Sequence, residues 1–412
     1  MPVGIEKIWA YPCTLSVDFE ELAAVRGHEP GYPSNTLLAR ERSLNPCWED
    51  PTTMAVNAAL PMLDDEDRER IELLVVGTES SPDQGKPYST FVHHFLGLQS
   101  NCRNFETKHA CYGGTAALTT ALHWVASGVA PGAKALVICS DQSRSHLGLL
   151  SEYVMGAGAI AMLVSDDPKV LEIDIKSSGY WTQEVGDTFR PTSKEEAGNT
   201  ENSVYCYLEA LEGAFDHFQR KATARNGHPY NYDEDFRYHI YHVPFGAMGY
   251  RAHRTLLKRD RRVSRAEAEE SFEKKVKPSL SYVSRVGGTY TGSTFYSLIG
   301  LVDNTDAKPG DPLTFFAYGS GSCCEMYAAK LGPEARERIA RVGLAAGLDA
   351  RKQLSVADYE TLERERQSYI DVATYEPPRD LWDGLWQSHY EKQRRLTLRG
   401  LKGHFRHYEW SC

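Results

Sequence analysis

Long apolar runs are missing from this chain of 412 residues, because none approaches the roughly 18 residues that a membrane-crossing helix requires. The opening stretch, MPVGIEKIWAYP, carries an acidic residue and no apolar signal core, so it does not indicate export. These two absences exclude a membrane-spanning protein. They predict a cytoplasmic protein that has no membrane among its partners.

Paired cysteines and low-complexity tracts are missing as well. The nine cysteines follow neither CxxC spacing nor a nearby histidine pattern, so no zinc site is predicted. An odd number of cysteines in a chain without an export signal is typical of reduced, cytosolic thiols. No Pro/Ser-rich linker divides the chain, which favours one compact body over separate domains joined by linkers.

Positive charge is in deficit, with a formal net charge of -10 at pH 7. General binding to nucleic acid requires a basic surface, so this balance excludes nucleic acid as a partner. A local basic patch is still compatible with the composition. Residues 251–275 hold such a patch and are predicted to form an exposed helix or a pair of helices.

The chain does contain short apolar runs that alternate with helix-like segments. Three runs rich in branched residues predict buried strands, at 71–80, 133–141 and 157–167. A helix-like segment at 111–127 lies between the first two. This alternation predicts an α/β layered fold.

A similar order of elements returns further along the chain. Its parts are a strand in 237–249 that breaks at Pro244, a helix over 291–304, and a strand, a Gly/Ser turn and a further strand or helix over 311–331. The region around 291–331 therefore repeats the region around 111–165, which indicates an internal duplication. Residues 334–368 and 378–412 are polar with scattered aromatics and are expected to be peripheral.

Cys111 lies just before Gly113 and Gly114, at the start of the helix-like segment. Free N–H groups and the dipole at a helix N terminus lower a thiol pKa and favour the nucleophilic thiolate. The two glycines let a substrate approach the backbone, and the Cys111 N–H could serve as an oxyanion donor. The alternative is a buried structural cysteine, which is how the cysteines without this glycine context are interpreted.

Two further residues could serve such a thiolate. Glu79 follows a buried strand, where apolar surroundings raise a carboxyl pKa and make the carboxylate a base. The alternative for Glu79 is a solvated loop residue. His242 lies between a strand and a Pro-Phe turn, where an imidazole could donate to a developing alkoxide or oxyanion. The alternative for His242 is a hydrogen-bonded core histidine.

Five motifs follow one another in the order GTES, KHACYGGTAAL, YHVPFGAMG, VGGTYTGS and FAYGSGS. In this order they resemble the 3-hydroxy-3-methylglutaryl synthase family of the thiolase superfamily. The resemblance implies a thiolase-like αβαβα layered fold with two duplicated halves. It divides the chain into residues 1–170, with Glu79 and Cys111, and residues 171–412, with His242. It also implies a homodimer that needs no metal and no organic cofactor.

The resemblance implies a role for each motif residue. Cys111 would be acylated, Glu79 would deprotonate the methyl group of the acyl-enzyme, and His242 would bind and polarise the acceptor. Ser320 matches a serine that helps around the thioester oxygen. Gly288 stands where the family usually has an asparagine that binds an acyl oxygen, so water or another donor must replace that amide.

A second departure concerns the carrier of the acyl groups. Ala247 stands where family members that use coenzyme A commonly have a lysine, so a cation for a nucleotide phosphate is missing. Both departures and the opening stretch resemble the branch that works in polyketide assembly lines. That branch implies two partners, an acetyl-loaded donor acyl carrier protein and a β-ketoacyl acceptor carrier protein, whose phosphopantetheine arms belong to the substrates. The product would be a 3-hydroxy-3-methylglutaryl-type chain for β-methyl branching.

Carrier proteins are acidic, so their docking surface is expected to be basic. The docking candidates are Arg251, Arg254, Lys258 and Arg259, followed by Arg261, Arg262 and Arg265, with Arg26 as a weaker one. The alternative for this cluster is a solvated helix face.

Three other functions compete with this interpretation. The nearest is a mevalonate-pathway synthase that uses acetyl-CoA and acetoacetyl-CoA, against which Ala247 counts. A decarboxylating ketosynthase would need an H-x-x-N-x-x-I/L motif, which the sequence lacks. A non-catalytic scaffold that binds carrier proteins would not need Glu79, Cys111 and His242 together.

Overall fold

The computed structural model describes residues 2–144, 146–382 and 384–412, and within them it has seventeen strands and fifteen α-helices. The strands are β1 (Gly4–Tyr11), β2 (Leu15–Asp18), β3 (Glu41–Leu44), β4 (Ile71–Gly77), β5 (Arg103–Thr107), β6 (Lys134–Gln142), β7 (Ala157–Ser165), β8 (Leu171–Thr182), β9 (Thr188–Phe189), β10 (Ala197–Gly198), β11 (Tyr238–Tyr241), β12 (Pro312–Gly319), β13 (Cys323–Leu331), β14 (Lys352–Gln353), β15 (Thr374–Tyr375), β16 (Leu396–Lys402) and β17 (Phe405–Trp410). The helices are α1 (Phe19–Arg26), α2 (Pro51–Ala59), α3 (Asp65–Arg70), α4 (Ser89–Phe95), α5 (Gly113–Ala126), α6 (Thr200–Asn226), α7 (Tyr232–Asp235), α8 (Gly246–Asp260), α9 (Arg265–Lys275), α10 (Leu280–Val286), α11 (Ser293–Asn304), α12 (Ala335–Ala340), α13 (Leu344–Asp349), α14 (Val356–Ser368) and α15 (Leu385–His389).

A mixed sheet of nine strands organises the fold, in the order β5-β4-β6-β7-β1-β8-β13-β12-β11. In one half β4 is parallel to β5 and β6, whereas β7 is antiparallel to β6 and β1. In the other half β11 is parallel to β12, whereas β13 is antiparallel to β12 and β8. The set β4-β6-β7-β1 thus has the same relative directions as β11-β12-β13-β8. The predicted duplication of the fold is confirmed, while the boundary between residues 170 and 171 stays a prediction.

Helices cover both faces of the strands, which explains why the strand sequences are almost continuously apolar. Leu73 and Val75 of β4 pack in the same core cluster as Ala117 of α5. Leu74 and Val76, on the other face, pack in a cluster that contains residues of α2 and α4. The three predicted strands and the predicted helix of this half are therefore confirmed.

The second half follows its predicted order too. Strand β11 ends just before His242 and Pro244, and α8 begins two residues later. Helix α11 lies over Ser293–Asn304, and β12 and β13 form an antiparallel pair joined by the Gly/Ser turn. Helices α8 and α9 are the predicted pair, and the long helix α6 packs on β8 and β13.

The prediction that residues 334–368 and 378–412 are peripheral is wrong. Tyr390, Leu396 and Leu398 are completely buried. Trp48 packs edge-to-face against the ring of Tyr390, with ring centroids 5.5 Å apart and the ring planes at 87°. The apolar residues of these segments are scattered in sequence, and their partners lie hundreds of residues away. Local pattern could not reveal their burial.

Within the described ranges, none of the helices combines the length and the apolar character that crossing a membrane would require.

Candidate active site

A buried carboxylate fixes the turn that carries Glu79. Asp141, near the end of β6, accepts a hydrogen bond from the Glu79 backbone N–H at 2.9 Å. The same carboxylate accepts from the hydroxyls of Thr78 and Ser80 and from Thr291, which follows the VGGTY stretch. Since β4 and β6 are parallel neighbours, Glu79 and Asp141 reach the same edge of the sheet. The turn after β4 is therefore held in one position.

Close backbone approach puts Cys111 beside that turn. A Cβ on Gly77 would lie 2.6 Å from the Gly114 Cα, and a Cβ on Gly114 would lie 2.3 Å from the Thr291 carbonyl oxygen. No side chain fits at either glycine without moving the backbone, so the first turn of α5 packs directly on β4. As a result the Cys111 Sγ lies 3.8 Å from Glu79 Oε1.

Burial dominates the electrostatics of this pair. It raises the pKa of Glu79 to about 8, with the charge of Arg190 as the main opposing effect. Burial, followed by the charge of Glu79, raises the pKa of the Cys111 thiol well above its usual range. The predicted lowering of the thiol pKa is therefore wrong. A helix N terminus contributes about 0.3–1 kcal/mol, whereas burial can shift a pKa by roughly 3–5 units.

His242 lies one residue past β11 and is buried, with 4% of its surface exposed. Its backbone N–H donates to the Phe316 carbonyl oxygen at 2.7 Å, and its carbonyl oxygen accepts from the Tyr207 hydroxyl at 2.8 Å. Burial lowers the pKa of the imidazole to about 4. The ring is therefore neutral at physiological pH and has one N–H to donate.

The neighbouring strand connects His242 to the Cys111 loop. β12 lies parallel to β11, and its last residue is Gly319. A Cβ on Gly319 would lie 2.3 Å from the His109 carbonyl oxygen and 2.7 Å from the Tyr112 backbone nitrogen. Ser320 follows directly, so it lies in the turn that packs against the loop on either side of Cys111. The ends of β11 and β12 thus meet the same end of the site.

Gly288 lies against the turn that follows His242. Its N–H donates to the Val154 carbonyl oxygen at 3.0 Å. A Cβ at this position would lie 2.4 Å from that oxygen and 3.5 Å from the Pro244 carbonyl oxygen. Glycine is required here by close backbone approach, and an asparagine would need the Val154 segment to move.

Two residues of the site escaped sequence analysis. Asp141 carried the same signal as Glu79, a carboxylate at the end of a buried strand, and could have been found. Arg190 follows β9 in a polar segment that gave no signal. Its Nη1 donates to the Glu79 carbonyl oxygen, and its guanidinium lies over the Tyr290 ring at 5.0 Å from the centroid.

The predicted docking cluster lies on α8 and the segment after it. Arg251 and Lys258 are exposed and Arg254 is half-buried. Arg259 instead pairs with Asp216 of α6 at 2.5 Å, so its charge is already neutralised within the chain. Further ion pairs join Arg261 to Asp233, Arg265 to Glu269, and Arg26 to Glu152 and Glu360.

No group of three or more His, Cys, Asp or Glu side chains in the described part of the chain is placed to hold a metal ion. The chemistry that the geometry supports uses a half-buried thiol next to a carboxylate. A neutral imidazole lies just past β11, beside the strand whose end packs on the Cys111 loop. Such a set can transfer an acyl group and move protons at its carbon atoms.

Comparison with known proteins agrees with this chemistry. The profile of the hydroxymethylglutaryl-coenzyme A synthase N-terminal family matches residues 1–169, and that of the C-terminal family matches residues 249–393. The polyketide biosynthesis 3-hydroxy-3-methylglutaryl-ACP synthase PksG of Bacillus subtilis is 37% identical over 99% of both chains. The hydroxymethylglutaryl-CoA synthase of Enterococcus faecalis is 33% identical over 89% of this chain and 92% of its own.

Solved structures extend the comparison to three dimensions. The HMG synthase of the curacin biosynthetic pathway superimposes with a TM-score of 0.94 at 37% identity and covers 100% of both chains. The same synthase has been crystallised in complex with its acetyl donor-ACP, with the same score. MvaS in complex with 3-hydroxy-3-methylglutaryl coenzyme A gives a TM-score of 0.89 at 32% identity over 100% of this chain and 99% of its own.

Proposed function

The chain belongs to the hydroxymethylglutaryl synthase family, and on that premise we propose that it joins an acetyl group held on Cys111 to a β-ketoacyl chain on an acyl carrier protein. The enzyme is an acyl-transferring synthase that forms a carbon–carbon bond. The observation that carries the proposal is the 3.8 Å contact between the Cys111 thiol and the Glu79 carboxylate. This contact offers a nucleophile and a base to the same acyl group.

Acetyl loading uses the thiol and the carboxylate together. The Cys111 thiol gives its proton to Glu79 while its sulfur attacks the thioester carbonyl of acetyl on the donor carrier. A bond forms between Sγ and the acetyl carbon, and the bond from that carbon to the carrier sulfur breaks. Glu79 returns the proton to the departing thiolate and becomes a carboxylate again. The Cys111 backbone N–H is the candidate donor to the oxyanion of this step.

Condensation then makes the carbon–carbon bond. Glu79 removes a proton from the acetyl methyl group, and the resulting carbanion attacks the β-keto carbon of the acceptor chain. His242 donates its ring N–H to the ketone oxygen as it becomes an alkoxide. The proton held by Glu79 restores the imidazole. His242 is buried and Glu79 is half-buried, and this low-dielectric setting strengthens each of these interactions.

Hydrolysis completes the cycle. Water attacks the thioester on Cys111, its oxygen becomes part of the new carboxylate, and Cys111 regains its proton. The product is a 3-hydroxy-3-carboxymethyl acyl chain that stays on the acceptor carrier. The net reaction consumes acetyl-carrier, β-ketoacyl-carrier and one water, and it releases free carrier thiol, product and a proton. The proposed reaction needs no cofactor beyond the carriers' phosphopantetheine arms.

Three observations favour carrier proteins over coenzyme A as the acyl donors. Ala247, in the first turn of α8, offers no cation to a nucleotide phosphate. Exposed Arg251 and Lys258 on the same helix offer charge to an acidic carrier protein. The similarity to PksG and to the curacin synthase, which has been crystallised with its donor-ACP, favours the same partners. We extend the proposal to a homodimer in the cytoplasm.

Intact-protein mass spectrometry of variants tests the proposed roles. Cys111→Ser is expected to show no acetyl adduct with acetyl-carrier, because the serine hydroxyl is a far weaker nucleophile at neutral pH. Glu79→Gln is expected to load acetyl more slowly, because it lacks the carboxylate that accepts the thiol proton, and to fail to condense. His242→Ala is expected to load acetyl and lose most of its use of the acceptor. Normal condensation by Glu79→Gln would contradict the base role.

The rate at which wild-type protein is acetylated by acetyl-CoA, compared with the rate from acetyl-carrier protein, decides which of the two is the acyl donor. Carrier-dependent loading should fall when Arg251 and Lys258 are changed to glutamate, because the charge that attracts the carrier is reversed. Lys308→Glu is a matched control, since Lys308 is exposed and precedes β12 at the end opposite Ser320. Faster loading from acetyl-CoA than from any acetyl-carrier would favour the coenzyme A synthase.

A further inference from the structure

Arg190 is a largely buried cation in contact with Glu79. Its Nη1 donates to the Glu79 carbonyl oxygen, and its Nε donates to Glu196 Oε2 at 2.9 Å. Its Nη2 lies 3.9 Å from Glu79 Oε1 and is among the buried nitrogens that have no hydrogen-bond partner in the described structure. Two of the three guanidinium nitrogens hold the side chain in place, and the third points at the carboxylate.

In the described part of the chain, Arg190 is the cation that pairs with the Glu79 carboxylate. Glu196, its partner, also lies 3.8 Å from His146 Nε2. Burial lowers the pKa of His146, so that ring is neutral at physiological pH. Among the described residues, the other charged and titratable groups that act on Arg190 or Glu79 include Arg144, Cys111, Asp141 and Tyr290. Arg144 has no hydrogen bond to Glu79 among the described residues.

We propose that Arg190 is a positioning residue that stabilises the Glu79 carboxylate as a base and remains its counter-ion while the proton moves between Cys111 and Glu79. The inference rests on the proposed function, because it assigns Arg190 a role only if Glu79 and Cys111 act as described. Arg190 touches no reacting carbon, and it acts through Glu79.

The geometry gives this role a physical reason. When Cys111 gives up its proton, the negative charge of the pair moves from the Glu79 oxygens to the sulfur, and it moves back when the carrier thiolate leaves. A guanidinium is always charged and spreads that charge over several N–H groups. The free Nη2 group can therefore stay close to the charge, while Glu196 and the Glu79 carbonyl oxygen keep the side chain from following it.

Two variants should shift the pH dependence of condensation in opposite directions. The rate of condensation is expected to rise with pH as Glu79 ionises, and this part of the pH–rate profile is the rising limb. Arg190→Met removes a positive neighbour of Glu79, so ionisation of Glu79 becomes harder and the rising limb moves to higher pH. At neutral pH the rate should fall at least about tenfold, which corresponds to about one pKa unit, and alkaline pH should restore most of it. Glu196→Gln removes a negative neighbour, so the limb should move to lower pH. A merely structural role predicts no such opposition.

Single-turnover kinetics provide the measurement. Enzyme is first acetylated by acetyl-carrier, then mixed with β-ketoacyl-carrier, and the loss of the acetyl-enzyme mass is followed across a pH series. Arg190→Lys keeps the charge and should keep the limb near its wild-type position. Arg237→Met is the control for loss of a surface ion pair, since Arg237 pairs with Asp306 and Asp311 away from the site, and it should not move the limb.

Each outcome supports or overturns the inference. The inference is overturned if the rising limb of the Arg190→Met variant lies at the wild-type pH. It is also overturned if this variant loses the same factor in rate at every pH. If Arg190→Met does not fold, Glu196→Gln decides, and a limb that stays in place overturns the inference. If Glu79→Gln condenses normally, the proposed function fails instead. The two failures are therefore distinguishable.

Discussion

At the scale of single residues, Glu79 illustrates how a reactive group weakens the fold that holds it. Its pKa is raised to about 8 by burial in the folded protein, against an ordinary value of 4.5. The folded state thus binds more protons than the unfolded state between these values. The contribution of Glu79 to stability is present at low pH and is lost as pH rises through 8.

Glu79→Gln is therefore expected to stabilise the protein at alkaline pH, because the amide never has to ionise in a buried site. The gain should be at most about 1.4 kcal/mol for each pKa unit of the shift. Urea unfolding of wild type and variant across pH measures it. At acidic pH the two curves should converge, and a variant that is less stable than wild type at every pH would contradict the expectation.

Two buried histidines give the opposite dependence on the acidic side. Burial lowers the pKa of His242 and of His253 to about 4, against an ordinary value of 6.5. The unfolded state binds more protons between these values, so stability falls as pH drops from 6.5 toward 4. His253→Asn should flatten this part of the stability curve, although it also loses hydrogen bonds to Tyr241 and Ser271. Thermal unfolding across this pH range measures the slope, and an unchanged slope would exclude His253 as a contributor.

At the scale of elements, the start of α5 determines where Cys111 lies. Its first turn packs on β4 and on the Thr291 carbonyl oxygen through Gly114. The helix position is thus set by backbone contact and leaves no room for a side chain. A small change at this contact should therefore move the Cys111 sulfur relative to Glu79.

Gly114→Ala is expected to push the helix away from Thr291 and to widen the distance between Cys111 and Glu79. Overpacking of this kind costs about 1–3 kcal/mol of stability, and acetyl loading should slow at least tenfold, or about 1.4 kcal/mol. Gly347→Ala is the matched control, because it lies in α13 with 3.6 Å to its nearest neighbour, Pro12. Chemical denaturation and acetyl-adduct mass spectrometry report the two effects. Equal behaviour of the two variants would remove the argument from close approach.

At the scale of the whole molecule, the C-terminal strand β16 packs against residues near the N terminus. The Leu398 N–H donates to the Trp48 carbonyl oxygen at 2.7 Å, and Leu396 exchanges hydrogen bonds with the Asn57 side chain. Arg366 of α14 donates to the Ser143 carbonyl oxygen, two residues past Asp141. The late segments therefore help to support the edge of the site.

Leu398→Ala is expected to destabilise the protein by about 2–5 kcal/mol, because it empties a fully buried position. Phe405→Ala on the neighbouring strand is the control, since that ring is 75% exposed and should change stability little. Guanidinium unfolding measures both variants. A loss for Leu398→Ala no larger than that for Phe405→Ala would contradict the closing role of β16.

Local sequence patterns predicted several elements of the fold and three residues of the site. The branched runs predicted β4, β6 and β7, and the helix-like segment 111–127 predicted α5, because such patterns depend on near neighbours in the chain. The order of the five motifs indicated the family and hence the layered, duplicated fold. Each candidate residue had its own local signal. Glu79 follows a buried strand, Cys111 lies before two glycines at the start of a helix-like segment, and His242 lies between a strand and a Pro-Phe turn.

Other properties of the site and of the core depend on contacts between segments that are distant in the chain. The pKa of Cys111 depends on how deeply the sulfur is buried and on Glu79, which lies 32 residues earlier in the chain. Arg190 contacts Glu79 from a polar segment that has no recognisable sequence pattern. Arg259 forms an ion pair with Asp216 within the chain. The burial of Tyr390 and Leu398 depends on partners near residue 48. Each of these properties arises from contacts between distant segments, and such contacts leave no periodicity in the sequence that could be read locally.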